Sequence, residues 1–307
     1  MGSGKYRLIT RSDFDGLVCA VLLKDKGLIS DIKFVHPKDM QDGLIPVSDT
    51  DITTNLPYVP GVFLAFDHHA SEVIRNGSAA NYIIDPEAPS AARVVYDYYG
   101  GKAAFPGISD EIMMAVDKAD SAQFNLEEVL NPDKWVLLNF IMDARTGLGR
   151  FKNFRISNYQ LMMDLIDYCK DHGIEEIVKL PDVKERVDLY FSHQNLFREQ
   201  LRRCAKVEGN VLVVELKNEE IIYAGNRFVK YALFPEANIS VTVMWGFQRQ
   251  NTVFTVGKSI FNRTSAVNIG ELMLRYGGGG HAAAGTCQVG SDVADETLKL
   301  LVAALHG

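Results

Sequence analysis

The chain has 307 residues, of which 47% are hydrophobic, 23% charged and 10% aromatic, a composition that excludes collagen-like and disordered proteins. Its length predicts two domains, and its longest apolar run, Leu17 to Leu23, is too short to span a membrane. The net charge of -7 argues against a protein that coats duplex nucleic acid, although a local basic cleft for a nucleotide or a short single strand stays open. The four cysteines lie far apart and no secretion signal opens the chain, so we expect buried thiols in a cytoplasmic protein.

The first 180 residues alternate between strand-like and helix-like segments. The predicted strands are Tyr6–Thr10, Ile32–His36, Ile52–Asn55 and Val62–Asp67, and the predicted helices are Leu17–Lys24, Ser90–Tyr99, Asp110–Lys118, Pro132–Met142 and Asn158–Cys169. This alternation predicts a mostly parallel α/β sheet, and such sheets bind their ligands at the carboxyl ends of the strands.

A long charged helix over Asp182–Val207 is predicted to connect this region to a second one. In the second region the predicted strands are Val211–Leu216, Ile221–Ala224, Ile239–Phe247 and Val253–Ile260, and the predicted helices are Arg227–Phe234, Val267–Tyr276 and Val293–Leu305. We therefore predict an α/β protein with a parallel-sheet N-terminal domain (residues 1–180), a connecting helix (181–207) and a smaller α/β C-terminal domain (208–307). A cleft between the two domains is expected to hold the ligand.

Acidic and histidine residues follow two of the predicted strands. Asp13 and Asp15 come after the first strand, where either one alone could simply cap the next helix. Asp67, His68 and His69 leave the end of another strand, which a parallel sheet would place beside them. Carboxylate oxygens and imidazole nitrogens are ligands for Mn²⁺, Mg²⁺ or Zn²⁺, so the pattern favours a metal site.

Two further clusters lie later in the chain. Asp117 and Asp120 end an apolar helix and could complete a coordination sphere, although alone they would be a solvated helix terminus. The run Gly277–Gly280 precedes His281 and the small residues Ala282 to Gly285. Successive glycines let backbone N–H groups approach an anion closely, which indicates a phosphate-binding element rather than an ordinary turn.

Taken together, these motifs resemble the DHH phosphoesterase superfamily, and in particular its members that carry the DHH-associated C-terminal domain. The resemblance spans nearly the whole chain, and the Asp67-His68-His69 and glycine-run motifs are its most specific parts. It implies a hydrolase of phosphate esters or anhydrides that depends on Mn²⁺ or Mg²⁺.

The resemblance also implies residue roles. Asp13, Asp15, Asp67, His68 and Asp120 match the metal-binding positions. His69 matches a catalytic position near the scissile phosphate. The substrate-binding positions correspond to Gly278, Gly279, Gly280 and His281, together with Ser90 at the start of a helix.

Two positions depart from the family pattern. Arg11 stands where a histidine ligand is usual, and Asn55 stands where a bridging aspartate is usual. An arginine cannot donate a lone pair to a metal, but it can place a fixed positive charge at the site or bind a phosphate, so we count Arg11 among the catalytic residues. Because each motif loses one ligand, we expect one tightly held metal ion rather than two.

The leading hypothesis is a metal-dependent phosphoesterase that acts on a nucleotide, a short single-stranded RNA or DNA, or polyphosphate. The alternative is a catalytically weakened member that binds nucleotides or nucleic acid without turnover. A structural protein in which these clusters are incidental would require three independent coincidences. The sequence predicts no membrane partner and leaves an oligomer possible.

Overall fold

The computed structural model describes residues 5–306, apart from the side chains of residues 70, 71 and 74. Five strands form the first sheet: β1 (Tyr6–Arg11), β2 (Ile29–Val35), β3 (Asp51–Thr54), β4 (Leu64–Asp67) and β5 (Tyr82–Ile84). Their order in the sheet is β2-β1-β3-β4-β5, and all the pairs are parallel. The predicted parallel α/β sheet is confirmed, and β5 is an additional strand that the sequence analysis missed.

Eleven α-helices lie between β1 and the second sheet in the described part of the chain. They are α1 (Phe14–Asp25), α2 (Pro37–Gln41), α3 (Ala70–Asn76), α4 (Ala91–Tyr98), α5 (Gly101–Ala104), α6 (Asp110–Asp120), α7 (Leu126–Leu130), α8 (Lys134–Met142), α9 (Asn158–Asp171), α10 (Ile174–Ile177) and α11 (Pro181–Cys204). The run Leu17–Leu23 of α1 is fully buried and packs among α4, α6 and α9, so this helix is apolar on every side.

The turn from β1 into α1 is very tight. A Cβ atom on Gly16 would come within 2.0 Å of the Arg11 carbonyl oxygen, so only glycine fits this turn. Asp13 caps α1 by accepting the Gly16 N–H, and Asp15 lies in the first turn of the helix. The turn therefore holds both aspartates at the carboxyl end of β1.

The second sheet contains β6 (Ala205–Glu208), β7 (Val211–Glu215), β8 (Ile239–Trp245), β9 (Thr252–Lys258), β10 (Gly279–His281) and β11 (Ala284–Val289), in the order β10-β11-β9-β8-β7-β6. Only β7 and β8 pair in parallel, and the other neighbours are antiparallel. Three helices accompany it: α12 (Val229–Leu233), α13 (Ile269–Leu274) and α14 (Ala294–Leu305). One face of this sheet forms a core with α13 and α14.

The structure differs from the sequence-based prediction for the second region in three places. The predicted strand Ile221–Ala224 is wrong, because this segment has no strand partner. The predicted connecting helix ends at Cys204, and the chain continues directly into β6. The glycine run contributes a strand, β10, that pairs with β11.

Contacts group the chain into two compact units. The first extends to Gln123 and also includes Asp133–Ala144 and Leu148–Asp188, whereas the second comprises Phe124–Pro132, Arg145–Gly147 and the chain from Leu189 onward. Among the described residues, none of the helices combines the length and the apolar composition that crossing a membrane requires.

Candidate active site

The carboxyl ends of β1, β3 and β4 lie side by side in the first sheet and carry most of the predicted site residues. Asp15 follows β1, and His68 follows β4. Asp120 is the last residue of α6. One ligand atom from each of these three side chains lies within 4.8 Å of the others, an arrangement that can hold a metal ion. We call these three residues the metal-binding group.

Asp15 is buried at the N-terminus of α4. Its two carboxylate oxygens accept hydrogen bonds from the backbone N–H groups of Ala92 and Ala91, at 2.8 and 2.9 Å. Burial raises the pKa of Asp15 to about 8, and the nearby charge of Asp120 acts in the same direction. A divalent cation would favour the ionised carboxylate, so this environment suits a metal ligand.

His68 is oriented for metal binding by a backbone contact. Its Nδ1 lies 3.1 Å from the Ala88 carbonyl oxygen, so we assign the proton to Nδ1, which leaves the lone pair of the neutral ring on Nε2. Nε2 is buried and lies 2.9 Å from Asp120 Oδ2, but this ion pair lacks hydrogen-bond geometry, and Nε2 has no other partner in the described structure. A buried nitrogen of this kind fits a metal ligand.

The charges within the metal-binding group are strongly coupled. Burial lowers the pKa of His68, but contact with Asp120 and the charge of Asp15 outweigh burial and raise this pKa to about 9. Burial would raise the pKa of Asp120, whereas the contact with His68 outweighs it and lowers this pKa. Without a metal, a protonated imidazole therefore partly neutralises the carboxylates, and a bound cation would replace that proton.

Asp13 lies outside the metal-binding group, although the sequence analysis predicts it as a metal ligand. Its Oδ2 is 2.9 Å from Arg11 Nε, and its Oδ1 accepts hydrogen bonds from Asn55 Nδ2 at 3.1 Å and from the Gly16 N–H at 3.0 Å. The two residues that depart from the family pattern, Arg11 and Asn55, therefore both contact Asp13.

Asp67 is also engaged by neighbouring side chains. Its Oδ1 lies 2.7 Å from His69 Nδ1, and its Oδ2 accepts a hydrogen bond from the Tyr82 hydroxyl at 3.3 Å. Burial lowers the pKa of His69, but the hydrogen bond and charge of Asp67 outweigh it and raise this pKa. Asp67 thus orients and charges His69, while the ring centroids of His68 and His69 are 4.6 Å apart.

Ser90 is fully buried at the start of α4. Its Oγ accepts the Arg93 N–H at 3.0 Å and donates to Asp117 Oδ1 at 2.8 Å, while Asp117 Oδ2 accepts from Arg93 Nε at 3.0 Å. This network fixes the first turn of α4, which provides the two N–H groups for Asp15. Sequence reasoning missed this support, although a serine before a helical run is a recognisable N-cap signal.

At three of the four positions in the glycine run, the backbone conformation or a close neighbour requires glycine. Gly277 has φ +72° after α13, a Cβ on Gly278 would meet the Thr286 carbonyl at 2.1 Å, and Gly280 has φ +155° beside the Ala284 carbonyl. A Cβ on Gly279 would meet no atom within 4 Å. His281 is exposed at the end of β10.

Two solved structures illustrate how this chain relates to known proteins. The chain is similar to a pGpG-specific phosphodiesterase, PggH, from Vibrio cholerae, with 61% sequence identity, a TM-score of 0.84, and coverage of 98% of this chain and 99% of that chain. It also aligns with RecJ from Thermus thermophilus in complex with Mn²⁺, at 13% identity and a TM-score of 0.48 over 97% of this chain and 52% of that one. That likeness is too weak to support an argument. No protein-family model and no curated protein matches the chain.

Proposed function

The chain belongs to the DHH phosphoesterase superfamily, and we propose that it is a divalent-metal-dependent phosphodiesterase that cleaves a linear dinucleotide of the pGpG type. The enzyme class, a hydrolase that acts on phosphodiester bonds, rests on the 61% identity over 98% of the chain. This proposal narrows the substrate classes that the sequence leaves open to a short nucleotide. The observation that carries the metal dependence is the metal-binding group of Asp15, His68 and Asp120.

The metal-binding group fits Mn²⁺ or Mg²⁺. It offers two carboxylates and one imidazole nitrogen, and His68 Nε2 is buried without a hydrogen-bond partner among the described residues. A divalent ion bound there would act as a Lewis acid that activates water and neutralises charge on the phosphoryl oxygens.

The protein side chains around the metal-binding group have separate roles in this proposal. Asp15 and Asp120 hold the ion, and the first turn of α4 fixes Asp15. Arg11, which pairs with Asp13, supplies a positive charge for a phosphoryl oxygen, because the guanidinium group is a planar cation that matches phosphate geometry. His69, held by Asp67, donates a hydrogen bond to the scissile phosphate.

The proposed site holds one ion per chain. Asp13 already receives Arg11 Nε, Asn55 Nδ2 and the Gly16 N–H, so its carboxylate is satisfied by the protein. Asp67 is likewise satisfied by His69 and Tyr82. Only Asp15, His68 and Asp120 form a metal-binding group among the described residues.

We assign substrate contact within the glycine run to Gly279 and His281. Gly278 and Gly280 are required by their own backbone neighbours, whereas Gly279 is surrounded by open space that a ligand could enter. Ser90 contributes to the site through α4 rather than through substrate contact, because it is fully buried.

The proposal is tested by measuring pGpG hydrolysis with Mn²⁺, with a chelator, and in the Asp15→Ala variant. We expect turnover with Mn²⁺, none with the chelator, and loss of at least about 100-fold in kcat for the variant, since a direct ligand matters more than the 10–100-fold of a supporting residue. Asp171→Ala, an exposed aspartate at the end of α9, is the control and should keep full activity.

Nucleotide binding without turnover by the wild-type protein would instead support the catalytically weakened alternative. Arg11 and Asn55 are the residues that motivate that alternative, since both replace usual metal ligands. Circular dichroism and thermal unfolding of Asp15→Ala separate a lost ligand from a lost fold.

A further inference from the structure

Asn55 stands at the centre of the carboxyl edge of the first sheet. Strand β3 lies between β1 and β4, and its last residue pairs with Thr10 on one side and with Phe66 on the other. Asn55 comes next in the chain, so its neighbours at that level are Arg11 and Asp67, across the usual strand spacing of about 4.8 Å. The residue therefore lies between the two strands of this sheet that lead to the metal-binding group.

The backbone of Asn55 has a conformation that favours glycine. Its φ is +54°, in the left-handed region that residues with a Cβ rarely adopt, although asparagine tolerates it better than most. The backbone N–H donates to the Phe66 carbonyl at 3.0 Å, so the neighbouring strand holds the residue in place. Glycine would fit this backbone without strain. An asparagine at such a position indicates that its side chain has a role of its own.

The Asn55 side chain uses only one of its two polar atoms within the protein. Nδ2 donates to Asp13 Oδ1 at 3.1 Å, and because a carboxylate only accepts, this contact identifies the nitrogen end of the amide. The other end, Oδ1, is buried and has no hydrogen-bond partner among the residues that the structure describes. The residue as a whole is 1% exposed. Asn55 thus presents a buried acceptor that the protein leaves unused, which is unfavourable unless a donor reaches it.

The unused oxygen lies close to the metal-binding group. The nitrogen and oxygen of an amide are about 2.2 Å apart, so Asn55 Oδ1 lies within about 5.3 Å of Asp13 Oδ1. Asp13 is two residues before Asp15, in the turn that leads into α1. On the other side, the Phe66 carbonyl that accepts the Asn55 N–H is two residues before His68. Both neighbours of Asn55 therefore continue directly into metal-binding residues.

The chemistry of an amide oxygen restricts what can bind to Asn55 Oδ1. An amide oxygen accepts hydrogen bonds and donates none. The non-bridging oxygens of a phosphodiester are acceptors too, so they cannot pair with it. Water and ribose hydroxyl groups are donors and can. In the proposed function the phosphoryl oxygen is assigned to Arg11, so the two residues suit different partners in the reaction.

We propose that Asn55 Oδ1 accepts a hydrogen bond from the water molecule that attacks the scissile phosphorus. The water oxygen forms the new bond to phosphorus, and the bond from phosphorus to the leaving ribose oxygen breaks. One proton of the water passes to that leaving oxygen, and the other stays on the new phosphate, which releases it to solvent. Asn55 takes up neither proton and acts by orienting the water. The inference rests on the proposed function.

The test replaces Asn55 by glycine, which suits a φ of +54° and removes the amide oxygen. We expect kcat for pGpG to fall about 100-fold, because a misplaced reactant costs about that much, while the KM stays unchanged. The affinity for Mn²⁺, measured by calorimetry, should also stay unchanged. An unchanged kcat overturns the inference. A rise in KM with kcat unchanged also overturns it, because the oxygen would then bind a ribose hydroxyl.

Gln248→Gly is the matched control for this substitution. Gln248 is an exposed residue with φ +52°, so the same change at a similar backbone should keep the wild-type kcat. Thermal unfolding checks that both glycine variants fold. Asn55→Ser also removes the amide oxygen, and it decides the case if Asn55→Gly does not fold.

Competition by methanol reports the orientation of the nucleophile rather than the stability of the fold. Methanol attack on the same phosphorus gives the 5′-methyl ester of GMP in place of GMP. The wild type should favour water strongly, and Asn55→Gly should raise the ratio of methyl ester to GMP. A purely structural role for Asn55 would lower both products equally, and an unchanged ratio overturns the inference.

A double substitution separates the Asn55 oxygen from the Asn55 nitrogen. Asp13→Ser keeps a favourable N-cap for α1 but removes the carboxylate that Nδ2 contacts. If Asn55 orients the water, adding Asn55→Gly to Asp13→Ser should lower kcat further, by the factor seen in the wild-type background. No further loss would show that Asn55 acts only through Asp13.

The wild type separates this inference from the proposed function. A wild-type protein that hydrolyses no dinucleotide overturns both. Turnover of pGpG by the wild type, together with equal turnover by Asn55→Gly, overturns the inference alone.

Discussion

The two sheets of this protein present opposite chemistry to a phosphate ester. At the carboxyl ends of the first sheet, the buried carboxylate of Asp15, the half-buried His68 and the exposed carboxylate of Asp120 converge within 4.8 Å. On the outer face of the second sheet, a lysine and three threonines stand in a row without an acid. The first arrangement gathers acidic side chains, whereas the second carries a single ammonium among neutral hydroxyls.

This difference predicts different sensitivities to substitution. The titratable side chains of the metal-binding group depend on one another, as the raised pKa of Asp15 and the raised pKa of His68 show. Removing one of them leaves the others without compensation. The neutral hydroxyls of the second sheet are independent, so each removal should have a small and separate effect.

The largest expected effect is on metal binding by the first sheet. Asp120→Asn should remove tight Mn²⁺ binding, because the metal-binding group loses one of its two carboxylates. Calorimetric titration of the wild type should give one tight ion per chain, and the variant none. Two equally tight ions in the wild type would contradict the interpretation that the Asp13 carboxylate is occupied by Arg11 and Asn55 and does not bind a metal ion.

The proximity of Asp15 and His68 was predictable from sequence, because parallel strands bring their carboxyl ends to one edge, whereas the role of Asp120 at the end of α6 was implied only by the family resemblance. Asp15 and His68 follow apolar strand-like runs, so their strands and their proximity could both be anticipated. The hydrogen bond between Asn55 and Asp13 could not be predicted, because the two residues lie 42 positions apart and no local pattern encodes which side chains meet.

The backbone hydrogen-bond donors of the site and the register of the second sheet also could not be predicted from the sequence. Ala91 and Ala92 hold Asp15 through main-chain N–H groups, and an alanine side chain gives no sign of this role. The alignment of Thr242, Thr255 and Thr286 across the second sheet depends on strand pairings, which follow from register rather than composition. The segment Ile221–Ala224 has a strand-like sequence, but no neighbouring strand pairs with it.

An intermediate effect on Mn²⁺ affinity is expected when a residue that positions Asp15 is substituted. Ser90→Ala should weaken Mn²⁺ affinity by about 10–100-fold, because it loosens the α4 turn that donates to Asp15. Ser157→Ala is the matched control, since Ser157 caps α9 through the Gln160 N–H at 3.0 Å. Ser157→Ala should lose about 1 kcal/mol of stability as an N-cap removal, and Ser90→Ala should lose more, because Asp117 also loses the hydrogen bond from the buried Ser90 hydroxyl. Equal Mn²⁺ affinity in the two variants would show that α4 does not position Asp15.

The smallest effect should come from the second sheet, at Gly279. Gly279→Ala adds a methyl group that meets no protein atom within 4 Å, so the free energy of unfolding should stay within about 0.5 kcal/mol of the wild type. If a ligand approaches this position, the KM for pGpG should rise several-fold with Mn²⁺ affinity unchanged. Gly107→Ala, whose added methyl group also meets nothing, is the control and should leave the KM unchanged. Because stability is matched in this pair, a selective rise in KM reports the ligand directly, and equal KM values would remove Gly279 from the binding surface while leaving the metal-binding group untouched.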